Sequence, residues 1–232
     1  MAKTILINGY GPGISQALAE KFGAEGYAVG LVARSADRLA AGVAALEARG
    51  IVAAGFQADL ADLEAIPALV QNARDKLGPL NLVHWNAYGS GAGDLLASEP
   101  AEVRGQLDLA VTSLIAVVKA ALPDLRATKG GVLVTNGGLG LLDAQVDAGA
   151  VRWQACGLAI ANAAKHKLVR LLAEQLRSDG VYVGEVVVLA AVKGTAWDNG
   201  SSTLEASSIA AKFWEIYNER RELSVQVGDT GR

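Results

Sequence analysis

The stretch Asn8-Gly9-Tyr10-Gly11-Pro12-Gly13-Ile14 constrains this chain more than any other. It follows a short apolar run, Thr4-Ile5-Leu6-Ile7, and precedes a segment with Ile14, Ala17, Leu18 and Phe22 on one helical face. Apolar strand, glycine turn and amphipathic helix, in that order, make a turn suited to cradling phosphate. Glycine lets backbone approach a pyrophosphate closely. The helix that follows offers N–H groups without intrahelical acceptors, at the positive end of its dipole. Ordinary turns also use glycine, so the strand and helix on either side carry the inference.

The rest of the chain repeats that alternation. Apolar, β-rich runs at 4–8, 28–33, 51–57, 80–85, 131–136, 181–189 and 223–227 predict strands. Helical patterns fill 14–25, 36–49, 63–77, 99–126, 154–177 and 204–221. Apolar strands alternating with helices predict a parallel sheet covered on both faces. Pro and Gly are scattered, with no linker-like cluster. The expected fold is therefore one α/β domain over 1–232, a doubly wound parallel sheet with its ligand crevice at the carboxyl ends of the strands. At 51% hydrophobic, 232 residues support a core of that size.

Composition removes several function classes. A net charge of −3 lacks the basic footprint of a nucleic-acid binder. The single cysteine, Cys156, allows no internal disulfide and reads as a small buried filler. His84 and His166 are too few and too isolated for zinc, so no metal site is expected. The chain enters a strand at once, without a visible signal peptide, and its longest apolar run, 186–192, is only strand-sized. No membrane partner is expected, and a cytoplasmic location follows as the default.

The strand ends refine the cofactor. After the second strand come Arg34, Ser35 and Arg38, where an adenosine ribose meets such a sheet. An acid there would bind the 2′-hydroxyl and repel a 2′-phosphate. Two arginines in its place point to NADP(H), the bland alternative being a solvated helix start. After the third strand, Asp59 is placed to accept from an adenine amine or to cap a helix. The fourth strand ends Trp85-Asn86-Ala87-Tyr88-Gly89.

Asn-Gly-Tyr-Gly-Pro-Gly-Ile, the Ala58-Asp59-Leu60 step and the Asn86-Ala87 step resemble the short-chain dehydrogenase/reductase family, over nearly the whole chain. The resemblance implies a Rossmann-type sheet of about seven strands and a bound nicotinamide cofactor. It places Gly9, Tyr10, Gly13, Ile14, Arg34, Ser35, Arg38, Asp59, Leu60, Asn86, Ala87, Val192 and Thr195 around that cofactor. Ser15 stands where the family has its third glycine, and Tyr88 replaces the last glycine of an Asn-Asn-Ala-Gly motif.

In the catalytic half the pattern breaks. The family supplies an oxyanion donor and a proton donor from a serine and from a tyrosine four residues before a lysine, with a helix asparagine completing a relay. None of the five tyrosines here has lysine four residues on. Matching the leucines Leu168, Leu171, Leu172 and Leu176 to the family's helix puts Leu158 at the tyrosine position and Asn162 at the lysine position. Gly137 falls at the serine and Ala110 at the asparagine. The remaining catalytic candidates are Tyr88, as a phenol or as a ring packing over the pocket, together with Asn136 and Asn162, which donate hydrogen bonds but no proton. Asp143, Asp147 and Trp153 border the expected substrate pocket. Lys165, His166 and Lys167 read as solvated helix surface.

The expected activity is an NADP(H)-dependent oxidoreductase with an atypical site, acting on a small organic carbonyl, imine or activated alkene. The alternatives are an NADP(H)-binding protein without redox catalysis, or the scaffold turned to another reaction. The helix around 107–125 is apolar nearly all round, with Leu107, Leu109, Val111, Leu114, Ile115, Val117, Val118 and Leu122. In the family this helix pairs between subunits, so a homodimer or homotetramer is expected.

Overall fold

Strands that are apolar on both faces must be sandwiched between helices, and the chain folds in that way. The computed structural model describes residues 3–228, so the first two and last four residues of the expected 1–232 domain lie outside the described ones. Seven parallel strands form one sheet: β1 (Lys3–Asn8), β2 (Tyr27–Ala33), β3 (Ala53–Gln57), β4 (Leu80–Trp85), β5 (Gly131–Gly137), β6 (Tyr182–Val188) and β7 (Ser224–Val227). Their order is β3-β2-β1-β4-β5-β6-β7. The chain winds outward from β1 to β3, then returns to lay β4 beside β1. That reversal opens a crevice at the carboxyl ends of β1 and β4.

The helices are α1 (Ile14–Ala24), α2 (Ala36–Glu47), α3 (Ile66–Leu77), α4 (Pro100–Leu107), α5 (Ser113–Thr128), α6 (Ala144–Arg152), α7 (Cys156–Leu176) and α8 (Ala206–Glu219). Alternation along the strands sorts them into two layers. Leu6, Val83, Val132 and Val134 face α3, α5 and α7. Ile5, Ile7, Leu82 and Leu133 face α1, α2 and α8. Burying a side chain of that size contributes about 1.5–3 kcal/mol, so these cores supply the stability that holds the crevice backbone in strained conformations.

The structure corrects three expectations. The predicted helix over 99–126 is interrupted by a π-helical turn, Asp108–Thr112, in which Ser113 N and Oγ both donate to Asp108 O. Pro100–Thr128 is long enough to cross a membrane and holds an 18-residue window of mean hydropathy 1.5, which the count of contiguous apolar residues had missed. Here Leu114, Val117, Val118, Ala121 and Leu125 of its second half are buried in the α3–α5–α7 core. Finally, α6 forms where a loop was expected, because Asp143 caps it by accepting from Gln145 N at 2.9 Å and Val146 N at 3.2 Å.

The crevice depends on one close approach. Gly9 has φ +86°, and a β-carbon there would lie 2.6 Å from Ala87 N. Gly26 has a similar φ of +87° but open space around it. Gly26→Ala is expected to cost about 1 kcal/mol from backbone strain alone. Gly9→Ala adds a backbone collision and should cost at least about 2 kcal/mol more. Thermal unfolding of the two variants checks this: equal melting temperatures would show that the turn tolerates a side chain.

Candidate functional site

The glycine turn is pinned from both sides. Gly9 N and Tyr10 N both donate to Val32 O at the end of β2, at 3.1 and 2.8 Å. Asn86 N donates to Asn8 O at 2.8 Å. Ser15, in the place of a third glycine, donates its hydroxyl to Gly9 O at 2.9 Å and accepts from Asn86 Nδ2 at 2.8 Å. Serine is thus both small enough for helix packing and a cross-brace between β1 and β4. The Tyr10 ring is buried against α2, where a β-carbon on Gly42 would meet it at 2.5 Å. Burial first, then the Glu20 carboxylate, raises its phenol pKa, while Arg38 lowers it. With its N–H spent on Val32, Tyr10 shapes the turn rather than facing a ligand.

Gly13 precedes α1 with φ +93° and no side chain caps the helix, so the N–H groups of Ile14 and its successors open toward the crevice. A β-carbon on Gly13 would lie 2.7 Å from Thr195 Cγ2. The segment after β6 therefore closes over the turn. Thr195 donates its hydroxyl to Val192 O at 2.7 Å, and Val192 is buried and bridges to Leu204.

At the β2 end, Arg34, Ser35 and Arg38 are exposed, and neither arginine enters a salt bridge among the described residues. Ser35 caps α2 by accepting from Arg38 N at 3.2 Å. Arg38 Nη1 lies 3.8 Å from where a β-carbon on Gly11 would stand, so its guanidinium reaches the glycine turn. Asp59 Oδ1 accepts from Ala61 N at 3.0 Å, a turn-capping role, and Leu60 is buried. At the β4 end, Ala87 is buried and the Tyr88 ring is 50% exposed. Gln106 lies against the loop beyond, and with its amide turned end for end it donates to Gly89 O at 3.1 Å and accepts from Gly91 N at 2.9 Å.

The corner between β5 and α7 joins the two candidate asparagines. Beyond Gly137 the chain forms a 3-10 turn, Gly138–Gly140, lying on the helix backbone: a β-carbon on Gly140 would be 2.6 Å from Ala163 N. One on Gly137 would be 2.6 Å from Asn162 Nδ2. The Asn162 carboxamide, 3% exposed, thus occupies space that a side chain at 137 would need. Asn136 has both of its amide protons in use. Its Nδ2 donates to Asn162 O at 3.1 Å and Glu185 Oε2 at 2.9 Å, and its Oδ1 accepts from Gly137 N at 3.1 Å. Tyr88 is not joined to this pair by any hydrogen bond.

Glu185 was not foreseen. It sits fully buried in the middle of β6, and its second oxygen contacts His166 Nδ1 on α7. Lys165, expected on the surface, is instead 3% exposed. A helix pattern cannot reveal a carboxylate on the strand beneath; the available signal was a lone Glu inside the apolar run 181–189. Burial pulls the Lys165 amine down to about 8 despite the opposing pull of the Glu185 carboxylate. On the other face of the sheet, His84 Nε2 meets Thr135 Oγ1 at 3.0 Å, and the ring packs edge-on to Phe213. Complete burial, assisted by Lys165, pushes its pKa down to about 3, so His84 is neutral at pH 7.

Residues 3–203 match the sequence model of the short chain dehydrogenase family. The chain is 34% identical over 127 residues to a 3-dehydrosphinganine reductase of Arabidopsis thaliana, a stretch covering 54% of this chain and 37% of that protein. It thus spans little more than a third of the length of the first curated relatives it matches. It is 29% identical over 184 residues to a meso-2,3-butanediol dehydrogenase of Serratia marcescens, covering 79% and 69% of the two chains. Among solved structures, a metagenomic short-chain oxidoreductase in complex with NADP superposes with a TM-score of 0.81 at 22% identity over 97% of this chain and 96% of that one. L-sorbose reductase from Gluconobacter frateurii, complexed with NADPH and L-sorbose, gives 0.84 at 19% identity over 97% and 95%. At these identities the superpositions speak for the fold.

The buried amine sets a pH dependence. Lys165 titrates near 8 when folded and near 10.5 when unfolded, so between those values the unfolded chain binds more protons and stability rises with pH. His84 acts at the other end: as pH falls from 6.5 toward 3, the unfolded chain takes up a proton that the folded one refuses, and stability is lost. Melting temperatures of the wild type and Lys165→Met between pH 8 and 10 check the first effect. The wild type should gain stability relative to Lys165→Met as pH rises; a difference that does not change with pH would place the amine in water.

Proposed function

The chain belongs to the short-chain dehydrogenase family, and on that premise we propose that it is an oxidoreductase that binds NADP(H) in the β1–β4 crevice and uses it on a small organic carbonyl, imine or activated alkene. The observation that carries the cofactor choice is the Arg38 guanidinium beside Gly11, with no acid at the end of β2. Gly9 and Gly13 let the turn pack tightly on Ala87 and Thr195, and the uncapped N-terminus of α1 is the group that would receive a pyrophosphate. Arg34 and Arg38 take the 2′-phosphate. Asn86, Ala87, Val192 and Thr195 line the path to the nicotinamide end. The relatives are by name a 3-dehydrosphinganine reductase, a meso-2,3-butanediol dehydrogenase and an L-sorbose reductase, which supports redox chemistry on a small organic molecule without choosing one.

Bound NADPH supplies a hydride. The protein's part is to orient the acceptor and stabilise the charge that develops on it. In this reading Ala110, Gly137, Leu158 and Asn162 take the four catalytic positions, and none is an acid or base. Asn162 Nδ2, beside the vacant side-chain position of Gly137, is the donor best placed to polarise an acceptor in the serine's stead. Such a donor suits acceptors that need polarisation more than proton transfer, such as an iminium or an activated alkene. Tyr88, half exposed at the mouth, is the remaining phenol. The same lack of a strong acid favours a second reading, NADP(H) binding without turnover. The partly exposed apolar residues Leu109 and Val111 of the π-helical turn and Ile115 and Leu122 of α5 support pairing of two chains.

Fluorescence titration should show NADPH binding more tightly than NADH. Losing one charge-assisted contact costs about 1.5 kcal/mol, so Arg38→Ala should weaken NADPH binding by about tenfold and leave NADH unchanged. Equal loss for both dinucleotides would remove the 2′-phosphate assignment. NADPH oxidation measured against carbonyl, imine and alkene panels then separates the two readings. Turnover unaltered in Tyr88→Phe would exclude that phenol as proton donor, and no turnover at all favours the binding protein.

A further inference from the structure

Single apolar side chains on a protein surface are ordinary, whereas a concentration of them in one place marks a binding surface. Among the described residues eleven large apolar side chains are exposed, and seven of them lie on the segments that follow β4, β5 and β6. Those segments stand at the carboxyl ends of the strands, the end of the sheet at which the crevice opens. Leu96 and Leu142 stand there almost wholly in solvent, together with Val151 on α6 and the rings of Trp153 and Trp197. The segments are also tied to one another. Cys156 N donates to Gly93 O at 3.3 Å and Gly157 N to Ala92 O at 2.8 Å, which joins the loop carrying Leu96 to the chain just beyond Trp153.

The two tryptophans are held in place without being buried. On the segment after β6, the Asp198 carboxylate accepts from Gly194 N and Gly200 N, each at 2.8 Å, and from Ser202 N at 3.1 Å. The Gly194 N–H, then Ser202 and the Gly200 N–H, hold that carboxyl down to about 2, so the bracing persists through the neutral range. Trp197 is thus carried on an ordered loop, two residues beyond the Thr195 methyl that reaches Gly13, and it is still 50% exposed. Trp153 ends α6. A β-carbon on Gly149 would touch its ring at 3.2 Å, the Arg152 guanidinium lies 5.6 Å from the ring centre, and 61% of the residue remains exposed. Rings presented in this way can be covered by a ligand without the loops first having to be ordered.

Charge selects the occupant. Over 86–99, 138–155 and 189–205 there are six acids and two bases, Arg152 and Lys193, and Lys193 is already bonded to Glu205 at 2.8 Å. Such a rim repels phosphate-bearing carriers and anionic membrane surfaces. A second copy of the chain seated on it would close the entrance by which an acceptor reaches the crevice. We propose that the rim holds the apolar tail of the substrate. The acceptor is then a carbonyl, imine or activated alkene with an uncharged alkyl chain, whose reacting end enters the crevice while the chain lies across Trp153 and Trp197. The reacting end rests on the function proposed above; the tail site is a property of the protein alone and is tested separately.

A series of methyl ketones from 2-butanone to 2-decanone tests it, with affinity measured by calorimetry on the protein alone and with saturating NADP+. Complete burial of a methylene raises affinity about fourfold, so on a half-open rim the wild type should gain about twofold per added methylene. Trp153→Ala combined with Trp197→Ala should flatten that slope. Leu142→Ser, which trims a side chain standing in solvent, should lower it with the fold intact. Val52→Ser, an exposed apolar position at the opposite end of the sheet, should leave it unchanged. A wild type without a slope, or a slope that survives the double substitution, overturns the proposal. Sedimentation of the same samples separates the other occupants: a slope lost only together with an assembly of chains marks a subunit contact and overturns it too. Binding to phosphatidylcholine vesicles with no slope for free ketones marks a membrane surface, with the same consequence. If the wild type binds neither dinucleotide, the proposed function fails, while the slope on the protein alone still decides the tail site. If the ketones are reduced and KM does not follow chain length, the tail site does not serve the reacting molecule, and the proposal fails.

Discussion

The rest of the molecule is organised around the place where the first turn lies against the end of the fourth strand with no side chain between them. At Gly9 the backbone touches Ala87, a contact that a single methyl group would prevent. Because the two strand ends meet there, Asn86 reaches Ser15 and Ser15 reaches back to Gly9 O. Turn, helix start and fourth strand are locked before any ligand arrives. The approach also fixes which backbone groups remain available: Gly9 N and Tyr10 N are consumed by Val32 O, while the N-terminus of α1 is left without a cap. Preorganisation of this kind lets a phosphate bind without first ordering the loop.

A second centre of order lies one layer deeper, where charge rather than shape is decisive. Most of the α7–sheet interface is aliphatic and would accept small rotations of the helix. A carboxylate in that interface removes the freedom, since each misalignment leaves an ion without its partner. The expense appears in Lys165, whose amine is harder to protonate than in water. The buried charges thus hold α7 against β6 at some loss of stability near neutral pH.

The strands were legible because both of their faces are apolar, and their ends fall within two residues of expectation. The Leu80–Trp85 strand is found where it was anticipated. The glycine turn was legible because glycine had a mechanical reason there. The π-turn was not: Asp108-Leu109-Ala110-Val111-Thr112 fits an ordinary helical pattern, and its wider hydrogen bonding arises from what the helix must pack against. Lys165 was misjudged for a related reason. Three consecutive residues, Lys165, His166 and Lys167, look like a solvated face, yet one points inward because a carboxylate on a strand twenty residues away in sequence lies under it. Conversely, Asn136 was expected to donate to a ligand, and both of its amide protons are instead taken by Asn162 O and Glu185. Pairings across such distances leave only faint traces in a single sequence, here one acidic letter in an aliphatic run.

The packing of α7 against the end of β5 treats its two glycines differently. At 137 a β-carbon would meet only the tip of the Asn162 carboxamide, which can swing aside, whereas at 140 it would meet the backbone of α7 itself. A side chain is therefore admissible at 137 wherever its neighbour on the helix yields, and inadmissible at 140 unless the turn lifts off the helix. The corner is thus adjustable at the residue nearest the crevice and rigid one turn further out.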